Sequence, residues 1–194
     1  MENEYWQELP AQLRSELFDA CLRKHKDRFT YFFNDRVLKS QAPPQFMVEF
    51  LSQLTCRILD EGYQLFQNEE KVDRLTMIQI GSVHLYGYHR FPGVDQETLR
   101  FKVVTLTSGS WFGDYQILLK IPCFWEVEVG RSAKDEQVRG LATYQSQLLE
   151  INADNFRKLA DKYPQFRSVV VTRANYRRTY WQKIYEENRQ EVLL

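Results

Sequence analysis

Three cysteines in 194 residues, with no CxxC and no CxxH among them, leave nothing from which to build a disulfide framework or a thiolate zinc site. Cys21, Cys56 and Cys123 are far apart in sequence, and such sparing use points to a reducing compartment. Charge of one sign is lacking as well. The 26 Lys and Arg balance 26 Asp and Glu, so no global field selects nucleic acid, an anionic membrane or an acidic partner. Any function that uses charge must place it locally. No window approaches the ~18 consecutive apolar residues of a membrane-spanning helix, and the opening MENEYWQELP has no basic start followed by an apolar run. The expectation is a segment neither secreted nor membrane-inserted by itself, which still leaves room for it to be the soluble part of a larger membrane protein.

Catalytic groups are equally scarce. With only His25, His84 and His89, no Ser-His-Asp or Cys-His arrangement is visible, and no pair of carboxylates stands out for acid-base work. His84 and His89 bound the stretch HLYGYH without an HxH pair or a carboxylate at ligand spacing, which disfavours a cupin-like metal site. The chain reads as non-catalytic, with no cofactor.

What it does have is apolar and aromatic content, 43% and 14%, enough at this length to bury one full core. Periodicity divides the chain in three. Residues 1–55 read as helical: Leu13, Leu17 and Cys21 with Phe18 and Leu22 predict an amphipathic helix from Pro10 to about Lys24, and Pro43-Pro44 opens a second carrying Phe46, Met47, Phe50, Leu51 and Leu54. Across 56–151 the period falls to two. The runs CRIL, YQLFQ, LTMIQI, VHLYGYHRF, LRFKVVTLT, FWEVEVG and LATYQSQLLEI are separated by turn residues at hairpin intervals. Residues 152–194 return to helix, with Asn152 or Asp154 as cap and Pro164 opening a long final helix to about Glu187. The expected fold class is α+β: an antiparallel roll of eight short strands, or jelly roll, with N-terminal helices, a short helix inserted late and two C-terminal helices.

The stretch Gly109 to Leu119 has the ingredients of an anion cradle. Gly113 lets backbone approach a ligand closely, and the short helix after it points free N–H groups at whatever sits there. Asp114 adds a carboxylate that repels phosphate but accepts bonds from sugar hydroxyls, so the combination suits a sugar-phosphate; the plainer reading is that Asp114 caps its helix. Phe112, Tyr115, Phe124 and Trp125 form an aromatic wall, of which strand alternation sends at least half into the core. On the last helix Arg173, Arg177 and Arg178 stand beside Tyr176, Tyr180 and Trp181, a basic-aromatic face that is either solvated or in contact with a base, a subunit or a phosphate.

In this order the elements resemble the cyclic nucleotide-binding domain family. Gly62 after the first strand, Asp73-Arg74-Leu75-Thr76-Met77-Ile78 leading to Gly81-Ser82-Val83, Trp111-Phe112-Gly113-Asp114, and Leu148-Leu149-Glu150-Ile151-Asn152 to Phe156 carry the resemblance, from about Ile58 to Tyr163. It implies a phosphate-binding cassette opening at Gly113, a pocket made by Phe112, Gly113, Asp114, Tyr115, Gln116, Cys123 and Phe124, and a lid helix bearing Arg173, Arg177 and Tyr180. The implied ligand is cAMP or cGMP. Leu9-Pro10, Leu13-Arg14 and Glu16-Leu17 are similar to the end of the linker that joins this domain to the pore in cyclic nucleotide-gated, hyperpolarisation-activated and ether-à-go-go type channels. That resemblance implies a cytoplasmic regulatory domain of a tetrameric cation channel, such as a potassium channel, with the other subunits as partners, no nucleic acid and no membrane insertion by this segment. The rival expectation is a free-standing scaffold or interaction module built on the same roll.

In family members that bind a cyclic nucleotide, an arginine shortly after the short helix pairs with the phosphate. Here that position falls at Cys123 or Phe124, within Lys120-Ile121-Pro122-Cys123-Phe124-Trp125. A buried phosphate would be left uncompensated, at a cost of several kcal/mol. The expectation is a degenerate pocket that lacks its guanidinium partner and binds cAMP or cGMP weakly or not at all. Arg131 and Arg139 fit the position only through a long insertion. The tail Glu186 to Leu194, mixing carboxylates and leucines, is a candidate self-ligand, as in ether-à-go-go type domains.

Overall fold

The computed structural model describes residues 10, 13, 16, 44–91, 98–130 and 145–193. Of the expected first helix, Leu13 and Glu16 are helical and the rest lies outside the described residues, as do Arg131 and Arg139. The second expected helix is α1 (Pro44–Ser52). Phe46, Met47 and Phe50 are its buried stripe. The Phe46 ring lies 3.9 Å from that of Phe166, and Phe50 stands edge-on to Phe156, so aromatic packing fastens α1 to the C-terminal helices.

Eight strands follow: β1 (Thr55–Asp60), β2 (Gln64–Phe66), β3 (Arg74–Ile80), β4 (Ser82–Arg90), β5 (Thr98–Thr107), β6 (Trp111–Phe112), β7 (Glu126–Gly130) and β8 (Gln145–Asn152). They form two four-stranded sheets in the orders β1-β8-β3-β6 and β2-β7-β4-β5, with every pairing antiparallel. This is the expected α+β roll. Alternation sends Val83 and Leu85 of β4 and Val127 and Val129 of β7 inward, and leaves His84, Tyr86, Glu126 and Glu128 partly exposed. Leu75 and Ile78 of β3 and Leu148 and Ile151 of β8 complete the core from the facing sheet. Ser146 ties the sheets together, its hydroxyl accepting from Ser82 N at 3.1 Å and lying 3.1 Å from Gly130 O.

Two strand boundaries differ from the sequence expectation. The eighth strand is the two-residue β6, which pairs with Thr76 and Met77 of β3 and is too short to show a period. Strand β7 begins at Glu126, so Phe124 and Trp125 belong to the loop before it. Below the roll, Glu150 is nearly buried and takes bonds from Arg57 at 3.1 Å and Arg74 at 3.2 Å, so two cations compensate the one carboxylate.

Three further helices follow among the described residues. The six-residue α2 (Asp114–Leu119) is inserted between β6 and β7. Of the two candidate caps for α3 (Ala153–Lys162), Asn152 serves, accepting from Asp154 N at 2.8 Å. Helix α4 (Pro164–Val192) has Pro164 in its first turn and buries Phe166, Val170 and Ala174 at four-residue intervals. It runs further than expected. Residues 188–192, part of the Glu186 to Leu194 tail named as a candidate self-ligand, continue the helix, and Arg189 Nε donates to His89 Nδ1 at 3.1 Å.

Candidate functional site

The cassette is built around Gly113. Its φ is +96°, and a Cβ there would lie 2.6 Å from the carbonyl oxygen of Arg74, so only glycine lets α2 start directly beneath β3. That close approach leaves Asp114 with no exposure at all. Its carboxylate does not cap α2, which corrects the plainer sequence reading. It meets the lid instead. Arg177 of α4 donates from Nη1 to Asp114 Oδ1 at 2.7 Å and from Nη2 to the carbonyl of Trp111 at 3.1 Å. The guanidinium also lies over the indole of Trp111, 4.3 Å from its centre. Arg177 is 16% exposed, so the pair is shielded and each charge is compensated chiefly by the other. Among the described residues, Asp114 Oδ2 and Gln116 Oε1 are buried without a hydrogen-bond partner.

A guanidinium therefore does reach the cassette. It comes from α4, 63 positions away, a partner for Asp114 that the sequence did not announce. It pairs with the carboxylate. The resemblance places a phosphate-pairing arginine at Cys123 or Phe124; Phe124 is 38% exposed, and Cys123 is 1% exposed, its thiol pushed up to about 12 by burial. That side chain is neutral near pH 7 and supplies no charge.

Side chains also occupy the interior beside α2. Tyr115 and Trp125 are both 3% exposed, and Trp125 Nε1 donates to Tyr115 Oη at 3.0 Å. Burial raises the Tyr115 phenol well above its ordinary value, so it remains a neutral hydrogen-bonding group. From the lid, the rings of Trp181 and Tyr185 stand 6.5 Å and 5.6 Å from that of Trp125. Tyr185 donates to the carbonyl of Tyr88 at 2.8 Å. A Cβ on Gly87 would lie 2.5 Å from the Tyr185 ring, so the glycine makes the space that this tyrosine fills.

The remaining residues separate. Phe112 is buried edge-on to Phe66 and serves the core. Phe124 is 38% exposed and borders a cleft with Trp125 and Tyr185. Tyr180, half exposed, packs edge-on to Trp181, and Arg173 borders a groove between α4 and the turn at Gly109 and Ser110. The structure thus gathers Arg177 onto the Phe112–Gln116 segment and leaves Phe124 and Tyr180 outside it. Trp181 was named in the sequence only as part of the basic-aromatic face of the last helix, and Tyr185 and Gly87 were not singled out as site residues. His84 bonds Thr105 Oγ1 at 2.9 Å, and burial first, then Lys102, lowers its pKa. Among the described residues no group of three His, Cys, Asp or Glu could hold a metal, and no helix is long and apolar enough to cross a membrane.

No protein-family profile matches the sequence, and no curated protein is similar to it. Solved structures do share its architecture. The regulatory domain of Toxoplasma gondii PKA crystallised with cAMP superposes with a TM-score of 0.55 at 13% identity, covering 81% of this chain and 52% of that one. The fold is that of cyclic nucleotide-binding domains. A candidate cyclic nucleotide binding protein from Ruegeria pomeroyi gives a TM-score of 0.54 at 20% identity, covering 84% of this chain and 63% of its own length. A mutant regulatory subunit of a cAMP-independent protein kinase A from Trypanosoma brucei, with cAMP in its A site, gives 0.55 at 15%, covering 90% and 53%. The present chain spans less than two-thirds of the length of each. In this fold α2 and α4 stand in the places that the resemblance assigns to a cassette helix and a lid.

Proposed function

We propose that the chain is a non-catalytic regulatory domain whose lid is held closed by its own side chains, with weak or no binding of cAMP and cGMP. The observation that carries this reading is the Arg177–Asp114 pair. The carboxylate suited to accept sugar hydroxyls is taken by the lid, the phosphate-pairing position is a neutral thiol, and Trp125 with Tyr115 fills the interior. A nucleotide entering the cassette must separate the pair, displace Trp181 and Tyr185, and bring in a charged phosphate that meets no arginine at Cys123 or Phe124. Leaving one partner of a buried ion pair alone costs about 3–5 kcal/mol. At ~1.4 kcal/mol per decade, that penalty alone weakens a micromolar ligand to roughly the millimolar range.

The similarity of Leu9 to Leu17 to a channel linker supports placing the domain on the cytoplasmic side of a tetrameric cation channel, with the other subunits as partners. Regulation there acts through the position of α4. The cAMP bound by the T. gondii and T. brucei domains supports the capacity of the fold for such a ligand, in which case the latch sets how much affinity remains. Isothermal titration with cAMP and with cGMP tests the reading. Dissociation constants weaker than about 1 mM are expected, and micromolar binding of either nucleotide overturns it.

A further inference from the structure

We propose that the cleft between α4 and the loop before β7 is an aromatic cage for a free, small methylated ammonium ion. The cleft has a volume of about 340 Å³, within the range of small-molecule sites. Tyr88 of β4, Phe124 and Trp125 of the loop, and Tyr185 of α4 supply its rings. Among its described lining residues none is Lys, Arg or His, and none belongs to α2. Phe124 is 38% exposed, so the wall it makes is open to a ligand.

The polar atoms of the other rings are already spent. Trp125 Nε1 donates to Tyr115 Oη, Tyr185 Oη to the carbonyl of Tyr88, and Tyr88 Oη to the Glu126 carboxylate. What remains for an occupant is the ring faces, whose negative potential attracts a cation. The same bonds fix the rings before anything enters, and the missing side chain at Gly87 makes the room that Tyr185 fills. Geometry then separates a compact ion from a flat one. The planes of Trp125 and Tyr185 meet at 61° with their centres 5.6 Å apart, so they stand as adjacent walls of a box and not as the parallel walls of a slot for a planar ring system. The other lining residues, Asn68, Gln182 and Glu186, are all exposed. Arg189 already holds Glu186 at 3.1 Å, so selection rests on the rings and not on a free carboxylate. A bare ammonium brings three N–H groups that such walls leave unsatisfied, whereas a methylated one presents methyl groups that carry its charge to the ring faces.

The inference goes beyond the proposed function, because it uses neither Asp114 nor Cys123 and its test involves no nucleotide. Isothermal titration of the full chain with choline is compared with titration by dimethylbutanol, the isostere with carbon in place of the charged nitrogen. Choline is expected to bind with a dissociation constant below about 5 mM, at least about fivefold more tightly than the alcohol, and to shift the amide resonances of Phe124, Trp125 and Tyr185. No binding, equal affinities, or shifts confined to other residues overturn the proposal. Phe124→Leu keeps apolar bulk without a ring and is expected to weaken choline at least about fivefold, while Phe124→Tyr stays within about twofold of the native chain. Equal affinities in the two variants overturn the role of the ring face. Phosphatidylcholine vesicles present the same head group on a lipid surface, and the chain is expected to stay in solution when they are sedimented; co-sedimentation overturns the assignment to a free molecule.

Discussion

Arg177, midway along the lid helix, holds the fully buried carboxylate of Asp114 at 2.7 Å while stacking on Trp111. One side chain thus joins α4 to the cassette by a charge pair, a carbonyl bond and a ring contact. The lid is fastened a second time further along, where Tyr185 reaches the carbonyl of Tyr88 beneath the ring of Trp125.

If the first fastening stabilises the closed lid, Arg177→Ala leaves Asp114 buried and unpaired, and the unfolding free energy falls by about 3–5 kcal/mol. Urea titration measures it, and hydrogen exchange along residues 177–192 accelerates with it. Arg177→Lys recovers only part of the loss, because an ammonium cannot both pair with Asp114 and reproduce the planar bond to Trp111 O and the ring stack. A full recovery by lysine would show that charge alone matters here.

Placing a cation at Cys123, one of the two positions that the resemblance offers for a phosphate-pairing arginine, is not expected to create a site. Cys123→Arg places a guanidinium at a position only 1% exposed, beside the packed Trp125. A loss of several kcal/mol of stability is expected from overpacking and desolvation, with no gain in cAMP or cGMP binding by titration. Micromolar binding by this single variant would mean that the interior yields more easily than its packing implies.

Gly113→Ala tests the backbone of the cassette. Its φ of +96° and the Arg74 carbonyl 2.6 Å from the added methyl require β3 or α2 to move. A loss of roughly 2–4 kcal/mol is expected from strain and clash together. Thermal unfolding measures it, and a change below about 1 kcal/mol would show that α2 can shift freely.

Alkaline pH weakens the fold through Cys123. Its thiol titrates at an ordinary 9.0 in the unfolded chain and is pushed up to about 12 by burial in the folded one. Above pH 9 the unfolded chain releases a proton that the folded chain keeps, so stability is complete below pH 9 and falls as pH rises toward 12, by at most about 1.4 kcal/mol per pH unit. The buried Tyr115 phenol acts with the same sign above its ordinary 10.0. Urea midpoints from pH 8 to 11 should fall more steeply for the native chain than for Cys123→Ala; parallel slopes would exclude the thiol as the cause.

Local pattern made much of this readable. Alternation in VHLYGYHRF and LRFKVVTLT marked β4 and β5, and Asn152 and Pro164 marked helix starts, because each is a property of neighbouring residues. Strand β6 escaped because two residues carry no period, and the boundary of β7 shifted because Phe124 and Trp125 look like strand residues while serving a loop. The Gly113-Asp114 pair was legible as a cassette opening, yet the partner of Asp114 was not. A guanidinium pairs through space, and nothing near residue 114 announces one at residue 177.

The amino-acid sequence by itself determined the order of helices and strands, the two-residue period that divides core from surface, and the glycine at the turn before α2, all set by steric and solvation preferences acting over a few residues. Only the tertiary structure decided that α4 is joined to Asp114 and Trp125. Ion pairing and ring packing act across distances of a few ångströms, and the closing of two sheets around one core is what brings Arg177, Trp181 and Tyr185 to Asp114, Trp125 and Tyr88.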